Sequence, residues 1–248
     1  MNQILVNEKI YSTPELKRKK KFYKFEFFFS VFLLCLLTSF YIYAEYDRNK
    51  SEAVSQKILE NMQLQEQEIV DTTTISQKEN DIITVVLNRS AEEQEEVIEE
   101  PPQPAKTVTY TENGVDYTTI ARIVIPKIGV DYPVFQTTDE RIEKDLKVAP
   151  CKFWGGDPNE VGNFCIVGHN YWDDRFFSQV PTLENGDIIQ LTDMSNRTLN
   201  YVVYDKHNVH PKNVSDTTQV TNGRKEITLI TCTKDSKERV IVKATEQI

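Results

Sequence analysis

The sequence predicts a mainly β fold, a closed or nearly closed β-barrel with a few short helices, which follows a single N-terminal transmembrane helix and an acidic linker. Three observations predict it. An uncharged apolar stretch runs from Phe27 to Ala44. An acid-rich region without glycine, residues 47–106, comes next. From Thr107 onward, short β-type runs alternate with turn residues, a texture typical of small barrels.

The apolar stretch is long enough to cross a bilayer. At about 1.5 Å per residue its eighteen residues cover roughly 27 Å, close to the thickness of the hydrocarbon core. The basic cluster Lys17–Lys21 precedes it and acidic residues follow it. The positive-inside rule therefore predicts a cytoplasmic N-terminus (residues 1–24), a membrane helix (residues 25–46) and an extracellular remainder, hence a single-pass protein of the cell membrane. A cleaved signal peptide is the alternative, but the sequence before Ala44 matches a small-x-small cleavage site poorly.

Residues 47–106 are expected to be an extracellular acidic linker, or stalk. They are rich in Glu, Gln, Asp and Thr and end in the charged, proline-containing run Glu92–Pro104, a composition typical of solvated spacers. Apolar residues recur at helical spacing near the start of the linker, namely Val54, Ile58 and Met62. A juxtamembrane helix is therefore an alternative there, and the apolar run Ile82–Leu87 allows a stray strand. We favour a solvated spacer that holds the folded domain off the membrane.

Residues 107–248 have an ordinary length for one domain with its own core. Their strand-like runs are rich in Val, Ile, Tyr and Phe and are bounded by turn residues. The predicted strands are Ala121–Ile125, Gly129–Phe135, Gly162–Gly168, Asp187–Leu191, Thr198–Tyr204, Glu226–Cys232 and Arg239–Ala244. A short helix is predicted from Thr138 to Leu146, with Thr138 as candidate N-cap.

Charge and cysteine content exclude several classes of protein. The formal net charge is −9, and no basic patch stands outside the first 24 residues, so no nucleic-acid partner is expected. Of four cysteines, Cys35 lies in the apolar stretch, which leaves Cys151, Cys165 and Cys232 for the domain. Three is an odd number, and the spacing is not that of a disulfide framework, so one of them is a candidate reactive thiol. Cys151 and Cys165 are expected in the core, with a disulfide between them as an alternative.

The last two predicted strands bring a thiol and a cation together. Six polar residues separate Cys232 from Arg239, which is an ordinary length for a hairpin loop. In an antiparallel hairpin the end of one strand opposes the start of the next, and opposed Cβ atoms lie about 5 Å apart. We therefore expect Cys232 and Arg239 side by side at one end of the barrel.

His169 also ends a predicted strand, and at the same rim its imidazole would neighbour the thiol. A histidine in that place converts a thiol to the reactive thiolate and later returns a proton to a leaving amine. An arginine donates hydrogen bonds to an oxyanion or holds the substrate backbone. Cys232 is thus the candidate nucleophile, with His169 as acid/base and Arg239 as oxyanion or positioning group. His207 and His210 compete for the role of base, and a buried structural cysteine remains an alternative at position 232.

Four segments resemble the sortase family of cysteine transpeptidases. Thr228–Cys232 reads Thr-Leu-Ile-Thr-Cys and resembles the signature Thr-Leu-x-Thr-Cys, which is followed after a short loop by an arginine that opens a Val/Ile strand. Phe164–Asn170 resembles the strand that delivers the histidine of the family, and residues 176–188 resemble its sequel. Ile123–Val134 resembles the opening strands. The resemblance extends over residues 118–246, the whole predicted domain.

The resemblance implies an eight-stranded sortase-like β-barrel and a defined reaction. Cys232 would attack the Thr–Gly bond of a Leu-Pro-x-Thr-Gly-like (LPxTG-like) sorting signal in a secreted protein and form a thioester acyl-enzyme. An amine, usually that of a peptidoglycan precursor of the lipid II type, would then resolve the thioester. Thr231, next to the nucleophile, would line the substrate-binding groove. The implied setting is the outer face of the cell membrane of a Gram-positive bacterium.

The sequence favours one class of sortase over the others. The chain ends without a hydrophobic segment and has no aspartate–aromatic lid before its first strand, which argues against the pilin-polymerising class. His207–Lys225 is short for the insertion of class B, so an anchoring enzyme of class A or D type is expected.

Some members of the family bind calcium, but the acidic loop residues of this chain form no recognisable ligand cluster, and no cofactor is expected. Cys165 and His169 would lie about 13 Å apart along a strand, too far for one zinc ion.

Two other functions compete with a sortase. An L,D-transpeptidase also uses cysteine and histidine on a β-rich scaffold, but its Ser-x-Gly-Cys signature is absent, because Ile230 and Thr231 precede Cys232. A non-catalytic sortase-like binding module is the second alternative. The presence of all three catalytic residue types at the positions of the family argues against it.

Overall fold

The computed structural model describes residues 14–80 and 106–247, and the chain divides into two compact units after Asn49. The first unit contains the start of the long helix α1 (Pro14–Asn80). Within α1, the segment Lys17–Leu64 includes an apolar window long enough to cross a membrane, and no part of that window is buried. The predicted stray strand at Ile82–Leu87 and the proline-containing end of the linker lie outside the described residues.

The second unit is built on a closed eight-stranded β-barrel. The strands, in chain order, are β1 (Val108–Glu112), β2 (Val115–Ile125), β3 (Val130–Phe135), β4 (Cys151–Trp154), β5 (Gly162–Val167), β6 (Ile188–Asp193), β7 (Thr198–Val209), β8 (Lys225–Cys232) and β9 (Arg239–Glu246). Hydrogen bonds join them in the order β1-β2-β3-β4-β5-β8-β9-β7-β6, and β6 pairs with β2 to close the ring. β1 stands outside the ring as a hairpin arm on β2. The predicted eight-stranded barrel is therefore confirmed.

Side chains alternate between the inside and the outside of the barrel along the strands that carry the site. On β5, Phe164 and Ile166 point into the main core, as Leu229 on β8 and Val242 on β9 do. The residues between them face outward and form a second small cluster, namely Cys165, Val209, Ile230 and Ile241. The loop of residues 210–224, which joins β7 to β8, covers this outer face. Asn163 on β5 holds the loop there by donating to the carbonyl oxygens of Asp216 and Thr218.

The helix between β3 and β4 is shorter than predicted. α2 spans Ile142–Asp145, and Thr138 lies in a turn before it, where its carbonyl oxygen accepts from the backbone N–H groups of Arg141 and Ile142. The Thr138 side chain makes no capping bond to α2, whose N-cap position is taken by Arg141.

The part of α1 that belongs to the second unit packs against the barrel. Val54, Ile58 and Met62 are buried in a cluster with Phe135 and Leu146. Further residues of this cluster are Tyr110, Val148, Ala149 and Cys151. Burial of an apolar helical face releases surface from water, and this explains why the segment is not the solvated spacer favoured above. The helix that its apolar spacing allowed is present instead.

Candidate active site

Strand pairing brings three candidate residues to one end of the barrel. β5 and β8 are parallel, with Val167 paired to Ile230, so His169 and Cys232 each lie two residues further along the same direction. β8 and β9 are antiparallel, and Cys232 is paired directly with Arg239. Directly opposed residues have Cβ atoms about 5 Å apart.

The three residues also share one face of the sheet and one cleft. Side chains alternate along a strand, so Cys232 continues the outward series of Ile230, as His169 continues that of Val167. They line an open cleft of about 360 Å³. The lining residues are Ile142, Glu143, Leu146, Phe153, Val167, Gly168, His169, Pro211, Asn213, Val214, Asp216, Thr217, Ile230, Thr231, Cys232, Arg239 and Ile241. The structure therefore brings His169, Cys232, Arg239 and Thr231 together in the lining of one cleft.

Three hydrogen bonds join the segment of His169 to the end of β8. The Gly168 N–H donates to the Ile230 carbonyl oxygen over 3.0 Å. The Thr231 hydroxyl donates to the Gly168 carbonyl oxygen over 2.8 Å, and the Asn170 side-chain amide donates to the Cys232 carbonyl oxygen over 2.8 Å. The backbone positions of the histidine and the cysteine are thus fixed relative to each other.

Gly168 is required by the close packing behind His169. A Cβ at this position would lie 2.6 Å from ring atoms of Phe177, which is fully buried. The Phe177 N–H also donates to the carbonyl oxygen of His169 over 3.0 Å. The Gly-His sequence therefore lets the chain leave β5 directly over the aromatic core.

Burial lowers the pKa of His169 below its ordinary value, with a smaller opposing contribution from the carboxylate of Glu143 and a small lowering contribution from Lys147. Its ring lies against that of Tyr171, with centroids 5.0 Å apart. Removal from water disfavours the charged imidazolium. The lowered pKa therefore favours the neutral imidazole at neutral pH, and this is the form that accepts a proton.

The exposure of the cysteines separates Cys232 from the other two in the domain. Cys151 and Cys165 are fully buried and unpaired, whereas Cys232 is partly exposed in the cleft. Burial raises the pKa of both core thiols, that of Cys165 to about 12, so they remain protonated and inert. The expected core position of both residues is confirmed, and the alternative disulfide between them is not formed.

The competing histidines lie outside the cleft lining. The two ring nitrogens of His207 face the carboxylates of Asp205 and Asp216. His210 is exposed in the β7–β8 loop, where its Nδ1 accepts from the Lys212 N–H. Of the three histidines of the chain, His169 alone lines the cleft.

Two hydrogen bonds of the site were missed by sequence reasoning, the one from Asn170 to the Cys232 carbonyl oxygen and the one from Thr231 to the Gly168 carbonyl oxygen. The sequence analysis assigned no role to Asn170. Its position directly after His169 was the one feature of the sequence that could have indicated a role. Thr231 was expected to line the groove. It does so, but it is only 1% exposed, and its hydroxyl donates to the Gly168 carbonyl oxygen.

Arg239 is partly exposed, and its guanidinium donates to the neighbouring Glu238 carbonyl oxygen over 3.3 Å. Within residues 14–80 and 106–247, no group of three His, Cys, Asp or Glu side chains is placed to hold a metal ion.

Comparison with known proteins identifies the family of this arrangement. Residues 123–247 match the sequence model of the sortase domain. Among solved structures, the sortase D5 transpeptidase of Clostridium perfringens is 30% identical, with 52% of this chain and 79% of that protein covered and a TM-score of 0.47. Sortase C-1 of Actinomyces oris is 28% identical, with 52% and 73% covered and a TM-score of 0.46. Sortase C of C. perfringens, solved with the C-terminal cell wall sorting motif, is 22% identical, with 52% and 71% covered and a TM-score of 0.45. A comparison with curated proteins found no match.

Proposed function

The chain belongs to the sortase family, and on this premise we propose that it is a membrane-anchored transpeptidase whose nucleophile is Cys232, with His169 as general acid/base and Arg239 as the group that stabilises the oxyanion. The convergence of these three side chains on one cleft carries the proposal. Each residue supplies a different requirement of acyl transfer: a soft nucleophile, a proton carrier and a permanent cation.

The first chemical step is transfer of the Cys232 proton to His169. A neutral imidazole is needed for this step, and burial favours the neutral form by lowering the pKa of His169. The thiolate then attacks the carbonyl carbon of the scissile peptide bond, and the carbonyl π electrons move to oxygen. Arg239 is paired with Cys232 across β8 and β9, and its guanidinium donates hydrogen bonds to this oxyanion, the interaction that usually lowers the barrier most in acyl transfer.

Collapse of the tetrahedral intermediate breaks the C–N bond. His169 returns its proton to the leaving amine, and a thioester remains on Cys232. An incoming amine attacks the thioester carbonyl, loses its proton to His169, and displaces the Cys232 sulfur, which is reprotonated. The same three groups therefore serve both halves of the reaction.

We assign the acyl donor as the LPxTG-like sorting signal of a secreted protein. The lining of the cleft beside Cys232 includes the apolar side chains of Leu146, Phe153, Ile230 and Ile241, which suits an extended peptide with an apolar side chain. Thr231 holds the backbone beside the nucleophile through Gly168 and so shapes the groove. The acceptor is proposed to be the amine of a peptidoglycan precursor, and the class an anchoring sortase of A or D type.

The location that fits this chemistry is the outer face of the cell membrane. The apolar segment of α1 anchors the chain, and the basic residues before it favour a cytoplasmic N-terminus. An extracellular domain meets both secreted proteins and lipid-linked wall precursors.

The test uses the full-length chain in detergent with a fluorogenic LPxTG peptide and hydroxylamine as the amine. We expect cleavage at the Thr–Gly bond, a peptide hydroxamate as product, and an acyl adduct on Cys232 detectable by mass spectrometry. A peptidoglycan tetrapeptide stem serves as the control for L,D-transpeptidase activity and should remain uncleaved. Cleavage of the stem, or full-rate cleavage of the LPxTG peptide by Cys232→Ala, would reject the proposal.

A further inference from the structure

His207 contacts two carboxylates at once, outside the catalytic group. Its Nδ1 lies 2.9 Å from a carboxylate oxygen of Asp205 on the same strand, β7. Its Nε2 lies 3.2 Å from a carboxylate oxygen of Asp216, in the 3-10 turn Ser215–Thr217 of the β7–β8 loop. The ring thus joins the barrel wall to the loop.

The protonation state of the ring decides how many of these contacts are hydrogen bonds. An ionised carboxylate only accepts, and a neutral imidazole carries one N–H. Neutral His207 therefore donates to Asp205 or to Asp216, and its second nitrogen then faces a carboxylate with lone pair against lone pair. Only the imidazolium donates to both, and it adds charge-assisted bonds.

The loop that His207 contacts forms one wall of the substrate cleft. Its residues in the cleft lining are Pro211, Asn213, Val214, Asp216 and Thr217. Neutral hydrogen bonds also hold the loop: the Asn163 amide donates to the Asp216 carbonyl oxygen over 2.9 Å, and the Gln219 amide donates to the Asn163 carbonyl oxygen over 2.9 Å. These bonds do not titrate. Within the described residues, the His207–Asp216 pair is the ionisable contact between this wall and β7.

We propose that His207 is a positioning residue for the substrate cleft: its protonated ring bridges Asp205 and Asp216 and holds the β7–β8 loop in the peptide-binding position, and its deprotonation loosens that wall. This inference rests on the proposed function for the identity of the peptide, but not for the behaviour of the loop. His207 touches no reacting atom and acts on substrate binding through the loop.

The charges around His207 set the direction of the effect. From the loop it faces Asp216, and from its own strand Asp205. On β9, Lys243 lies opposite Asp205 in the strand register, and on β8 the carboxylate of Glu226 is paired with Arg224. Partial burial lowers the pKa of His207, but the hydrogen bonds to Asp216 and Asp205 outweigh it, and the net pKa is raised. A raised pKa means that the bridge is complete below the ordinary value of about 6.5 and is lost as the pH rises through the raised value.

The effect falls on binding rather than on chemistry. Since the neutral bonds of Asn163 and Gln219 persist, the loop stays attached and only its first half gains freedom. We therefore expect the KM for an LPxTG peptide to rise several-fold in the wild type from pH 5.5 to pH 8.5, with kcat set separately by His169 and Cys232. In His207→Gln, whose amide has no charge at any pH, the KM should already be high at pH 5.5 and change little with pH.

Two variants and a control make the comparison specific. Asp216→Asn keeps the carbonyl oxygen that Asn163 holds but removes the carboxylate, so it should reproduce the high KM of His207→Gln. His207→Lys, permanently cationic over this range, should keep the KM low at pH 8.5. His210→Gln, in the same loop but without a carboxylate partner and outside the cleft lining, should behave as the wild type. An unchanged KM at pH 5.5 in both His207→Gln and Asp216→Asn overturns the proposal.

A second readout does not depend on activity. Amide hydrogen exchange of residues 210–217 in the full-length chain, corrected for the intrinsic pH dependence, should show less protection at pH 8.5 than at pH 5.5. In His207→Gln the protection should be low at both values. If the wild type fails to cleave the peptide, the proposed function is wrong while exchange still decides the role of His207; equal protection of wild type and His207→Gln at pH 5.5 rejects that role.

Discussion

Cys232 and Arg239 are directly opposed across the last antiparallel strand pair of the barrel, the former ending β8 and the latter beginning β9. The six-residue loop between them contains its own hydrogen bonds, from the Thr233 N–H to the Glu238 carbonyl oxygen and from the Ser236 N–H to the Thr233 carbonyl oxygen. The hairpin therefore holds Arg239 opposite Cys232 without help from a distant part of the chain.

Arg239→Lys should lower kcat by about 10²-fold, the usual loss when one oxyanion donor is removed. An ammonium keeps the charge but lacks the planar fork of donors, so the loss should appear in kcat more than in KM. The measurement is steady-state cleavage of an LPxTG peptide. Arg224→Lys is the matched control, since Arg224 is exposed, pairs with Glu226 and lies outside the cleft lining. Equal rates for wild type and Arg239→Lys would remove Arg239 from the mechanism.

Cys232 should be the thiol of the folded domain that reacts with a methanethiosulfonate reagent. Cys151 and Cys165 are buried, and burial raises their pKa, so neither the access nor the thiolate that the reaction needs is present. In a Cys35→Ser background, mass spectrometry should find one adduct, at Cys232, and a parallel loss of peptide cleavage. An adduct at Cys165 in the native protein would contradict the structure.

The sequence indicated the candidate catalytic residues better than the residues that position them. Cys232 and Arg239 could be placed side by side because a hairpin is a local structure whose register follows from loop length. His169 needed more: its position beside Cys232 depends on the parallel pairing of β5 with β8, a long-range contact that no local pattern specifies. The resemblance to the family supplied that information.

The strands that were missed are short or largely exposed. β4 is four residues long. β1 and the start of β2 contain the strand-favouring residues Val, Tyr and Thr, but only one residue of β1 is buried, and the two segments pair with each other as a hairpin. Asn170 carries no signature because its function is a single hydrogen bond to a backbone oxygen. The packing of Ile58 was allowed by spacing but hidden by the acidic composition around it, since an amphipathic helix and a charged spacer share many residues.

In the pH profile of kcat/KM, the midpoint of the acid limb should lie below the ordinary histidine pKa of about 6.5. Burial lowers the pKa of His169, and the profile of kcat/KM reports the essential base of the free enzyme. Because the carboxylate of Glu143 raises this pKa and Lys147 lowers it, Glu143→Gln should move the limb to lower pH and Lys147→Gln to higher pH. Both are measured in the His207→Gln variant, which removes the second titration. An acid limb above 6.5, or shifts of opposite sign, would contradict this assignment.

Asn170→Ala should reduce kcat by about tenfold, as expected when a hydrogen bond that positions a nucleophile is lost. The amide of Asn170 holds the Cys232 carbonyl oxygen, and its own oxygen accepts from the Trp172 N–H, so the change loosens the cysteine relative to the histidine. KM should change little. Asn200→Ala, at an exposed position of β7, is the control. A loss confined to KM would mean that Asn170 contacts the substrate instead of positioning Cys232.

Ile58→Ala should destabilise the folded domain by about 2–5 kcal/mol, the usual range for truncation of a buried aliphatic side chain. Ile58 is fully buried in the cluster that includes Phe135 and Leu146, and Leu146 also lines the cleft beside Cys232. Denaturant unfolding of the full-length chain in detergent measures the change. Leu64→Ala removes a similar volume from the same helix at a side chain that is 59% exposed, so its effect should stay within about 0.5 kcal/mol. If the two variants unfold at the same denaturant concentration, residues 50–64 are a spacer after all, and the apolar face of α1 has no part in the stability of the barrel.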